Sequence, residues 1–139
     1  MAQAMFVDTS GWAHFLDANQ PLHSSAVAHV NSHLAQDKLL FTTNYIIMEL
    51  VALLHSPLRI SRLQVVDMVE RIYASSFVEI VHIDPALDKA AWGLLRNRPD
   101  KSWSLADCAS FAVMEQSGIS EALTSDRHFE QAGYIRLLK

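Results

Sequence analysis

The sequence predicts an α/β fold built on a parallel sheet, and three observations predict it. Short apolar segments alternate with longer helical patterns along the 139 residues, and the connections between them are brief. Two apolar segments run directly into hydroxyl and carboxyl residues, which suits the carboxyl edge of such a sheet, where ligands bind. The length predicts one domain, spanning residues 1–139, with a single core.

The composition excludes several classes of protein. Half of the residues are apolar and 19% are charged, which excludes a disordered chain, and no apolar run is long enough to cross a bilayer. The segment from Met1 to Ala4 lacks the basic flank of a signal peptide. The single cysteine, Cys108, excludes an internal disulfide and a multi-cysteine metal site. We therefore expect a cytoplasmic protein without a membrane partner.

The charge distribution argues against a protein that holds nucleic acid over its whole surface. The net charge is −4, whereas such binding needs many lysine and arginine contacts. A local basic patch can still hold phosphates beside an acidic site. The candidate phosphate contacts are Arg96, Arg98, Lys101 and Arg127. The run from residue 96 to residue 101 equally suits a solvated helix end and loop.

The first strand is predicted to place an acid at the rim of the sheet. The apolar segment 5–7 reads as a short buried strand that ends at Asp8. Trp12, Phe15 and Leu16 then have the i, i+3, i+4 spacing of a short helix, which the following proline ends.

A second helix is predicted over residues 22–35, and a second buried strand over residues 39–42. The helix contains three histidines, His23, His29 and His33. We expect them to face solvent rather than bind a metal, because a zinc site of this pattern needs a third ligand close by.

The third helix, over residues 45–54, follows a Thr43-Asn44 cap and contains Glu49 as its only charge. It is apolar nearly all round, so we expect it to be buried. A buried carboxylate needs a cation, a hydrogen-bond network or a water-filled cleft. Glu49 therefore pairs with a buried arginine, lies at a rim open to water, or faces the crevice beside Asp8.

The middle of the chain continues the alternation of helix and strand. An amphipathic helix is predicted over residues 61–75 and a strand over residues 77–83. Asp84 and Pro85 are a suitable cap and first turn for a helix that extends through Leu95.

A further helix is predicted to open at Ser104 and to end at Gly118, with Asp107 three residues after the cap. This spacing is that of a capping box, which needs no catalysis. The other early positions are small or apolar, so this helix end is expected to be packed, and an acid there is a ready metal ligand. We expect Cys108 to be a small buried hydrophobe rather than a nucleophile.

The C-terminal part repeats the arrangement of the N-terminus. A strand over residues 121–124 leads through Ser125 into Asp126. Asp126 equally suits the N-cap of the short turn that follows it. A last strand, at the edge of the sheet, is predicted over residues 135–138.

Four carboxylates in one crevice predict a metal-dependent reaction. Their charges repel one another unless a divalent cation neutralises them, and oxygen ligands suit Mg²⁺ or Mn²⁺ rather than zinc. Such a cation activates water and stabilises charge on a phosphoryl group, so the acids predict phosphodiester hydrolysis. The candidate catalytic and metal-binding residues are Asp8, Glu49, Asp107 and Asp126.

The acidic motifs, taken in order, resemble those of the PIN domain. They are Asp8-Thr9-Ser10 after a strand, Glu49 in a helix, Ser104-Leu105-Ala106-Asp107 opening a helix, and Leu123-Thr124-Ser125-Asp126 followed by Phe129 and Gly133. More narrowly, the chain resembles the VapC-type toxins of prokaryotic toxin–antitoxin pairs over essentially its whole length. The resemblance implies a three-layer fold with a parallel five-stranded sheet between helices, and a Mg²⁺- or Mn²⁺-dependent endoribonuclease. It also implies a homodimer and an inhibitory antitoxin that lies across the active-site groove.

The resemblance also assigns roles to single residues. Asp8, Glu49 and Asp107 match the core metal-binding acids of the family, and Asp126 matches its more variable fourth acid. Two further residues, Ser10 and Ser125, match hydroxyl positions that can hold water or phosphate.

Several other functions stay open. One is a PIN-like RNA-processing nuclease without an antitoxin. A phosphatase that uses Asp8 as a covalent nucleophile is disfavoured, because position 10 is a serine rather than a second acid. A non-catalytic partner-binding module does not explain why Glu49 lies in an apolar helix. A metal-independent ribonuclease would use histidines as acid and base, and only His128 lies beside a candidate site residue.

Overall fold

A five-stranded parallel sheet flanked by helices forms the centre of the protein. The structure, a computed structural model, describes residues 4–139. Within them, the strands are β1 (Met5–Val7), β2 (Leu40–Thr43), β3 (Val78–Val81), β4 (Glu121–Leu123) and β5 (Ile135–Arg136). The helices of the same part are α1 (Thr9–Leu16), α2 (His23–Ala35), α3 (Asn44–His55), α4 (Arg62–Ala74), α5 (Pro85–Asn97), α6 (Leu105–Ser117) and α7 (Arg127–Gln131). The predicted parallel α/β fold is confirmed. The prediction about a signal peptide concerned residues 1–4, and residues 1–3 lie outside the described residues.

The strand order β3-β2-β1-β4-β5 puts the first strand in the middle of the sheet. The strands are parallel, and the order in which they are added reverses at β1: β2 and β3 lie on one side of it, and β4 and β5 lie on the other. The crevice at such a switch point, outside the carboxyl ends of the strands, is where open α/β sheets bind ligands. Asp8 directly follows β1, and residues 124–126 directly follow β4, so both segments lie at this crevice.

Helix α1 packs unusually close to the end of β4, and a glycine allows it. A Cβ atom added to Gly11 would lie 1.9 Å from the carbonyl oxygen of Leu123. Trp12, one residue further, is buried and donates an indole hydrogen bond to the Thr42 hydroxyl at 3.1 Å, while that hydroxyl donates to the Val7 carbonyl at 2.9 Å. These contacts fix α1 against β1 and β2, and so fix the start of α1 at Asp8.

Two expectations about helix faces are wrong. Helix α3 is not buried all round, because Met48 is 67% exposed and Val51 is 42% exposed. Conversely, His33 of α2 is buried, where its Nδ1 lies 2.9 Å from the carbonyl oxygen of His29 and its Nε2 lies 3.3 Å from Oε2 of Glu121. A ring with polar partners on both nitrogens can be buried without an unpaired polar atom. None of the helices within residues 4–139 combines the length and apolar character needed to cross a membrane.

Candidate active site

The four predicted acids meet at one cleft. A cavity of about 320 Å³ opens at the carboxyl edge of the sheet, and Asp8, Glu49, Asp107 and Asp126 all line it. They come from four places in the chain: the end of β1, the middle of α3, the first turn of α6 and the start of α7. The structure therefore brings together acids that are as much as 118 residues apart, from position 8 to position 126.

Asp8 is the most deeply buried of the four acids. It caps α1, and its Oδ1 accepts hydrogen bonds from the backbone N–H of Gly11 and the hydroxyl of Ser10, both at 2.8 Å. Its Oδ2 accepts a bond from the hydroxyl of Thr124 at 2.6 Å. Burial nevertheless raises the pKa of Asp8 to about 7, and the nearby carboxylate of Asp126 adds to the rise. Neutral donors therefore do not compensate for the lost hydration of this carboxylate.

Glu49 extends from α3 into the same cleft. Its Oε1 accepts a hydrogen bond from the hydroxyl of Thr9 at 2.9 Å. Burial raises the pKa of Glu49 above its ordinary value, and the carboxylates of Asp107 and Asp126 raise it further, while the bond from Thr9 lowers it. Of the three explanations that the sequence left for Glu49, the structure supports the third. The side chain lies in the crevice with Asp8, and its hydrogen-bond partner there is Thr9 rather than an arginine.

Asp107 combines a structural role with a place in the cleft. Its backbone N–H donates to the Ser104 hydroxyl at 3.0 Å, and its Oδ2 accepts from the Ser104 backbone N–H at 3.0 Å, which completes a capping box. The carboxyl group is buried and lines the cleft. The two interpretations of this residue are therefore compatible, because the same carboxyl group completes the cap and lines the cleft. Cys108, as expected, is buried, and burial raises the pKa of its thiol.

Asp126 opens the short helix α7. Its Oδ1 accepts a hydrogen bond from the backbone N–H of His128 at 2.9 Å. Its own backbone N–H donates to the hydroxyl of Thr124 at 2.9 Å, the same hydroxyl that donates to Asp8. Thr124 therefore joins the first and fourth acids through a single oxygen atom.

The two predicted serines contribute differently. Ser10 lines the cleft, where its hydroxyl donates to Asp8 and accepts the backbone N–H of Ser125 at 3.0 Å. Ser125 joins the network through that N–H. The sequence reasoning missed Thr9 and Thr124, although a usable signal existed: each is a hydroxyl that directly follows a strand or the acid at its end.

His128 also lines the cleft and was not predicted to contact the acids. Its Nδ1 lies 2.9 Å from Oδ2 of Asp107 and 3.3 Å from Oδ2 of Asp126, and its Nε2 lies 3.4 Å from the hydroxyl of Ser102. Its position two residues after Asp126 was the available signal.

The predicted phosphate contacts lie outside the lining of the cleft as the described residues form it. Arg98 donates two hydrogen bonds of 3.1 Å to Asp100 and lies 5.2 Å above the ring of Trp103, and Lys101 lies 3.9 Å from the same acid. Arg96 and Arg127 are exposed. Their contact with RNA stays a prediction.

The donor set of the cleft fits a divalent cation. Asp107, Asp126 and His128 each offer a ligand atom, and these atoms lie within 4.8 Å of one another. Burial and mutual repulsion raise the pKa of Asp8 and Glu49, so a positive charge in the cleft would relieve both effects. Carboxylate oxygens are ligands of hard divalent cations. The carboxylate and imidazole groups of the cleft therefore fit a divalent cation.

Comparison with known proteins identifies the family. The PIN domain matches residues 5–134. The 23S rRNA-specific endonuclease VapC20 of Mycobacterium tuberculosis, in strains CDC 1551 and H37Rv, is 29% identical over 133 residues, which cover 96% of this chain and 97% of that protein. The crystal structure of Mycobacterium tuberculosis VapC20, described as a Sarcin-Ricin loop cleaving toxin, superposes with a TM-score of 0.82 at 29% identity, covering 98% of this chain and 100% of that one. The resemblance inferred from the acidic motifs is confirmed, and the chain belongs to the PIN-domain family.

Proposed function

We propose that this protein is a divalent-metal-dependent endoribonuclease that acts as the toxin of a type II toxin–antitoxin pair. The observation that carries the proposal is the meeting of Asp8, Glu49, Asp107 and Asp126 at one cleft of a PIN-domain chain. The likeness to VapC20 over nearly the whole of both chains supports RNA as the substrate and toxicity as the role. The fitting partners are an RNA substrate, a cognate antitoxin protein and a second copy of the chain in a cytoplasmic homodimer.

The acids would hold the cation, and the residues around them would hold the acids. Asp8, Glu49 and Asp107 are the proposed core ligands of Mg²⁺ or Mn²⁺, and Asp126 completes the set. When bound, such a cation lowers the pKa of water and stabilises negative charge on a phosphodiester. Thr124 and Thr9 fix the orientation of two of these acids through their hydroxyl groups.

The geometry disfavours the phosphatase alternative. A nucleophilic carboxylate needs an accessible oxygen, whereas both oxygens of Asp8 accept hydrogen bonds and the side chain is buried. Ser10, which stands where that mechanism would place a second acid, donates to Asp8 instead. An oxygen held in this way is poorly placed to attack phosphorus.

The test is cleavage of a structured total-RNA pool that includes 23S rRNA, with Mg²⁺, with Mn²⁺ and with EDTA. We compare wild type with Asp8→Asn and with Asp84→Asn, which are matched because both aspartates cap helices and asparagine caps equally well. Discrete cuts should be lost in EDTA and fall by roughly a hundred- to a thousandfold in Asp8→Asn, an effect of the size that a lost charge-stabilising group produces. Asp84→Asn should cleave like wild type.

Either of two results would reject the proposal. One is cleavage that persists in EDTA, which would indicate a metal-independent reaction. The other is full activity of Asp8→Asn, which would remove the acid cleft from the reaction. Mapping the cuts would identify the target RNA.

A further inference from the structure

One ring nitrogen lies among the carboxylate oxygens of the cleft. The imidazole of His128 lies between two acids, with Nδ1 at 2.9 Å from Oδ2 of Asp107 and at 3.3 Å from Oδ2 of Asp126. The side chain is about a quarter exposed, at 26%, and lines the cavity rather than the surrounding surface. One ring nitrogen is thus shared by two carboxylates of the proposed metal site.

The spacing of these atoms suits ligands of one cation. Adjacent ligands of an octahedral ion that lie roughly 2.1 Å from its centre are about 3.0 Å apart. The two separations from Nδ1, 2.9 Å and 3.3 Å, bracket that value. The three ligand atoms of Asp107, Asp126 and His128 all lie within 4.8 Å of one another. The side chains therefore need little rearrangement to share an ion.

The other ring nitrogen of His128 faces a hydroxyl oxygen. Histidines that bind metals donate their second N–H to an oxygen, which fixes the ring and leaves the lone pair on the first nitrogen. Nε2 of His128 lies 3.4 Å from the hydroxyl oxygen of Ser102, which also lines the cleft. The backbone N–H of His128 bonds Asp126 at 2.9 Å and holds the residue in place. The ring is therefore oriented with Nδ1 toward the acids.

We propose that His128 is a nitrogen ligand of the divalent cation and makes the site prefer Mn²⁺ over Mg²⁺. The inference rests on the proposed metal-dependent function and deepens it. Both ions suit carboxylates, but Mg²⁺ keeps oxygen ligands, whereas Mn²⁺ is the first member of the transition series whose ions also bind nitrogen ligands. Replacing one oxygen or water ligand by a ring nitrogen thus favours Mn²⁺ relative to Mg²⁺. A site of carboxylates alone would discriminate less between the two ions.

The alternative to a ligand is a residue that positions Asp107, and two variants separate these roles. If Nδ1 carries a hydrogen, His128 only positions Asp107 by donating to it. His128→Asn keeps an N–H group near the position of Nδ1 but offers no ring nitrogen to a metal, and His128→Gln removes both features. His55→Gln, in the last turn of α3, is the matched control, because His55 is an exposed histidine that is not among the lining residues of the cleft.

The experiment measures Mn²⁺ directly, without RNA. Electron paramagnetic resonance of the purified protein gives Mn²⁺ affinity from the loss of the free-ion signal, and electron spin echo modulation detects ¹⁴N bound to the ion. Added Mg²⁺ gives the competition ratio. We expect nitrogen modulation in wild type and in His55→Gln and none in the two His128 variants. Mn²⁺ affinity should fall roughly tenfold or more in both His128 variants, while Mg²⁺ affinity changes much less.

Three results would overturn the inference, and they differ in what they mean for the nuclease. Mn²⁺ binding to wild type without nitrogen modulation rejects the ligand role and leaves the metal-dependent nuclease standing. Wild-type Mn²⁺ affinity in His128→Asn shows that the histidine only positions Asp107. If wild type binds no Mn²⁺ at all, both the inference and the proposed metal dependence fail.

Discussion

Asp8 and Asp107 lie at the N-terminal ends of two helices at the same cleft, yet their surroundings stabilise them differently. The Asp8 half of the site consists of Asp8, Ser10, Gly11 and Thr124, and its donors to the carboxylate are two hydroxyls and one backbone N–H. All three donors are neutral. Burial therefore dominates, and the pKa of Asp8 rises to about 7 in spite of them.

The Asp107 half consists of Ser104, Asp107, Asp126 and His128. Its carboxylates contact an imidazole ring, because Nδ1 of His128 lies within 3.3 Å of both. The capping box supplies a further pair of hydrogen bonds. Hydrogen bonds to a carboxylate and a basic side chain in contact with it are thus separate properties of a site. The Asp8 half has the first without the second, so it depends on a proton or an added cation.

The largest expected effect comes from separating the Asp8 half from the sheet. In Gly11→Ala, the new Cβ would collide with the Leu123 carbonyl at 1.9 Å, so α1 must move away from β4. We expect the free energy of unfolding to fall by at least about 3 kcal/mol, because a backbone contact cannot yield as a side chain can. Urea unfolding followed by tryptophan fluorescence measures it.

Gly93→Ala is the matched control for that substitution. Gly93 lies inside α5, and nothing stands within 4 Å of the position of its Cβ. Alanine should therefore stabilise this helix by roughly 0.5–1 kcal/mol. If Gly11→Ala lies within about 1 kcal/mol of wild type, the close packing of α1 on β4 is not what holds Asp8.

The next effect concerns pH. The folded pKa of Asp8, about 7, is raised above the ordinary unfolded value of roughly 3.9, so the folded protein binds this proton more tightly. The associated stability is fully present below about pH 4 and is lost as pH rises through 7. In metal-free protein, the free energy of unfolding of Asp8→Asn should therefore rise relative to that of wild type by on the order of 3 kcal/mol between pH 5 and pH 8.

Unfolding of both proteins in EDTA at several pH values measures this difference. The comparison with the variant cancels the titration of every other group that the two proteins share. Saturating Mn²⁺ at pH 8 should stabilise wild type more than Asp8→Asn. A difference that does not change with pH would contradict the account of the Asp8 half.

A smaller effect tests the hydroxyl that joins the two halves. Thr124 donates to Asp8 and accepts the backbone N–H of Asp126, so Thr124→Val leaves two polar groups unpaired and should cost about 1–3 kcal/mol. Thr42→Val is matched, because Thr42 is equally buried and also donates one bond and accepts one. The free energy of unfolding should fall by a similar amount in Thr124→Val and in Thr42→Val.

The pH dependence distinguishes these two threonine variants. The bond from Thr124 lowers the pKa of Asp8, so its removal should shift the pH at which metal-free stability is lost further upward. Thr42→Val should leave that pH unchanged, since its hydroxyl bonds Val7 and Trp12 instead. Equal pH profiles for the two variants would show that Thr124 contributes packing alone.

The four acids could be predicted from the sequence because each is conspicuous in its local context. Asp8 and Asp126 end apolar strand patterns, and Glu49 is the single charge of an apolar helix. Such signals depend on neighbours in the chain, which a sequence displays directly. The parallel sheet could be predicted for the same reason, because alternation and short connections are local properties.

Local signals mark candidate partners, but which partner meets which acid could not be predicted, because the pairing depends on contacts across the fold. Thr124 meets Asp8 across 116 positions, and His128 meets Asp107 across 21. The predictions about the faces of two helices were wrong for a related reason. Periodicity shows that α3 has an apolar surface, but it does not show which part of that surface the neighbouring elements cover. Met48 lies on a part that they leave exposed. His33 is buried with Glu121 beside it, a contact between residues 88 positions apart.

The smallest expected effect concerns the arginines near the Asp107 half. Arg127 directly precedes His128 and is exposed, whereas Arg98 donates two hydrogen bonds to Asp100, which lower the pKa of that acid. A guanidinium already paired with a carboxylate has less to gain from a phosphate. In an Asp8→Asn background, which prevents cleavage, Arg127→Gln should weaken binding of a stem-loop RNA roughly two- to fivefold and reduce its salt slope by about one.

Arg98→Gln should change both quantities less than Arg127→Gln does. Fluorescence anisotropy of a labelled RNA over a series of salt concentrations measures the affinity and the slope together. A larger loss of slope in Arg98→Gln would mean that the RNA phosphate displaces Asp100 from Arg98. The basic run before Asp107 would then belong to the substrate groove, and the Asp107 half would extend beyond the cleft to include it.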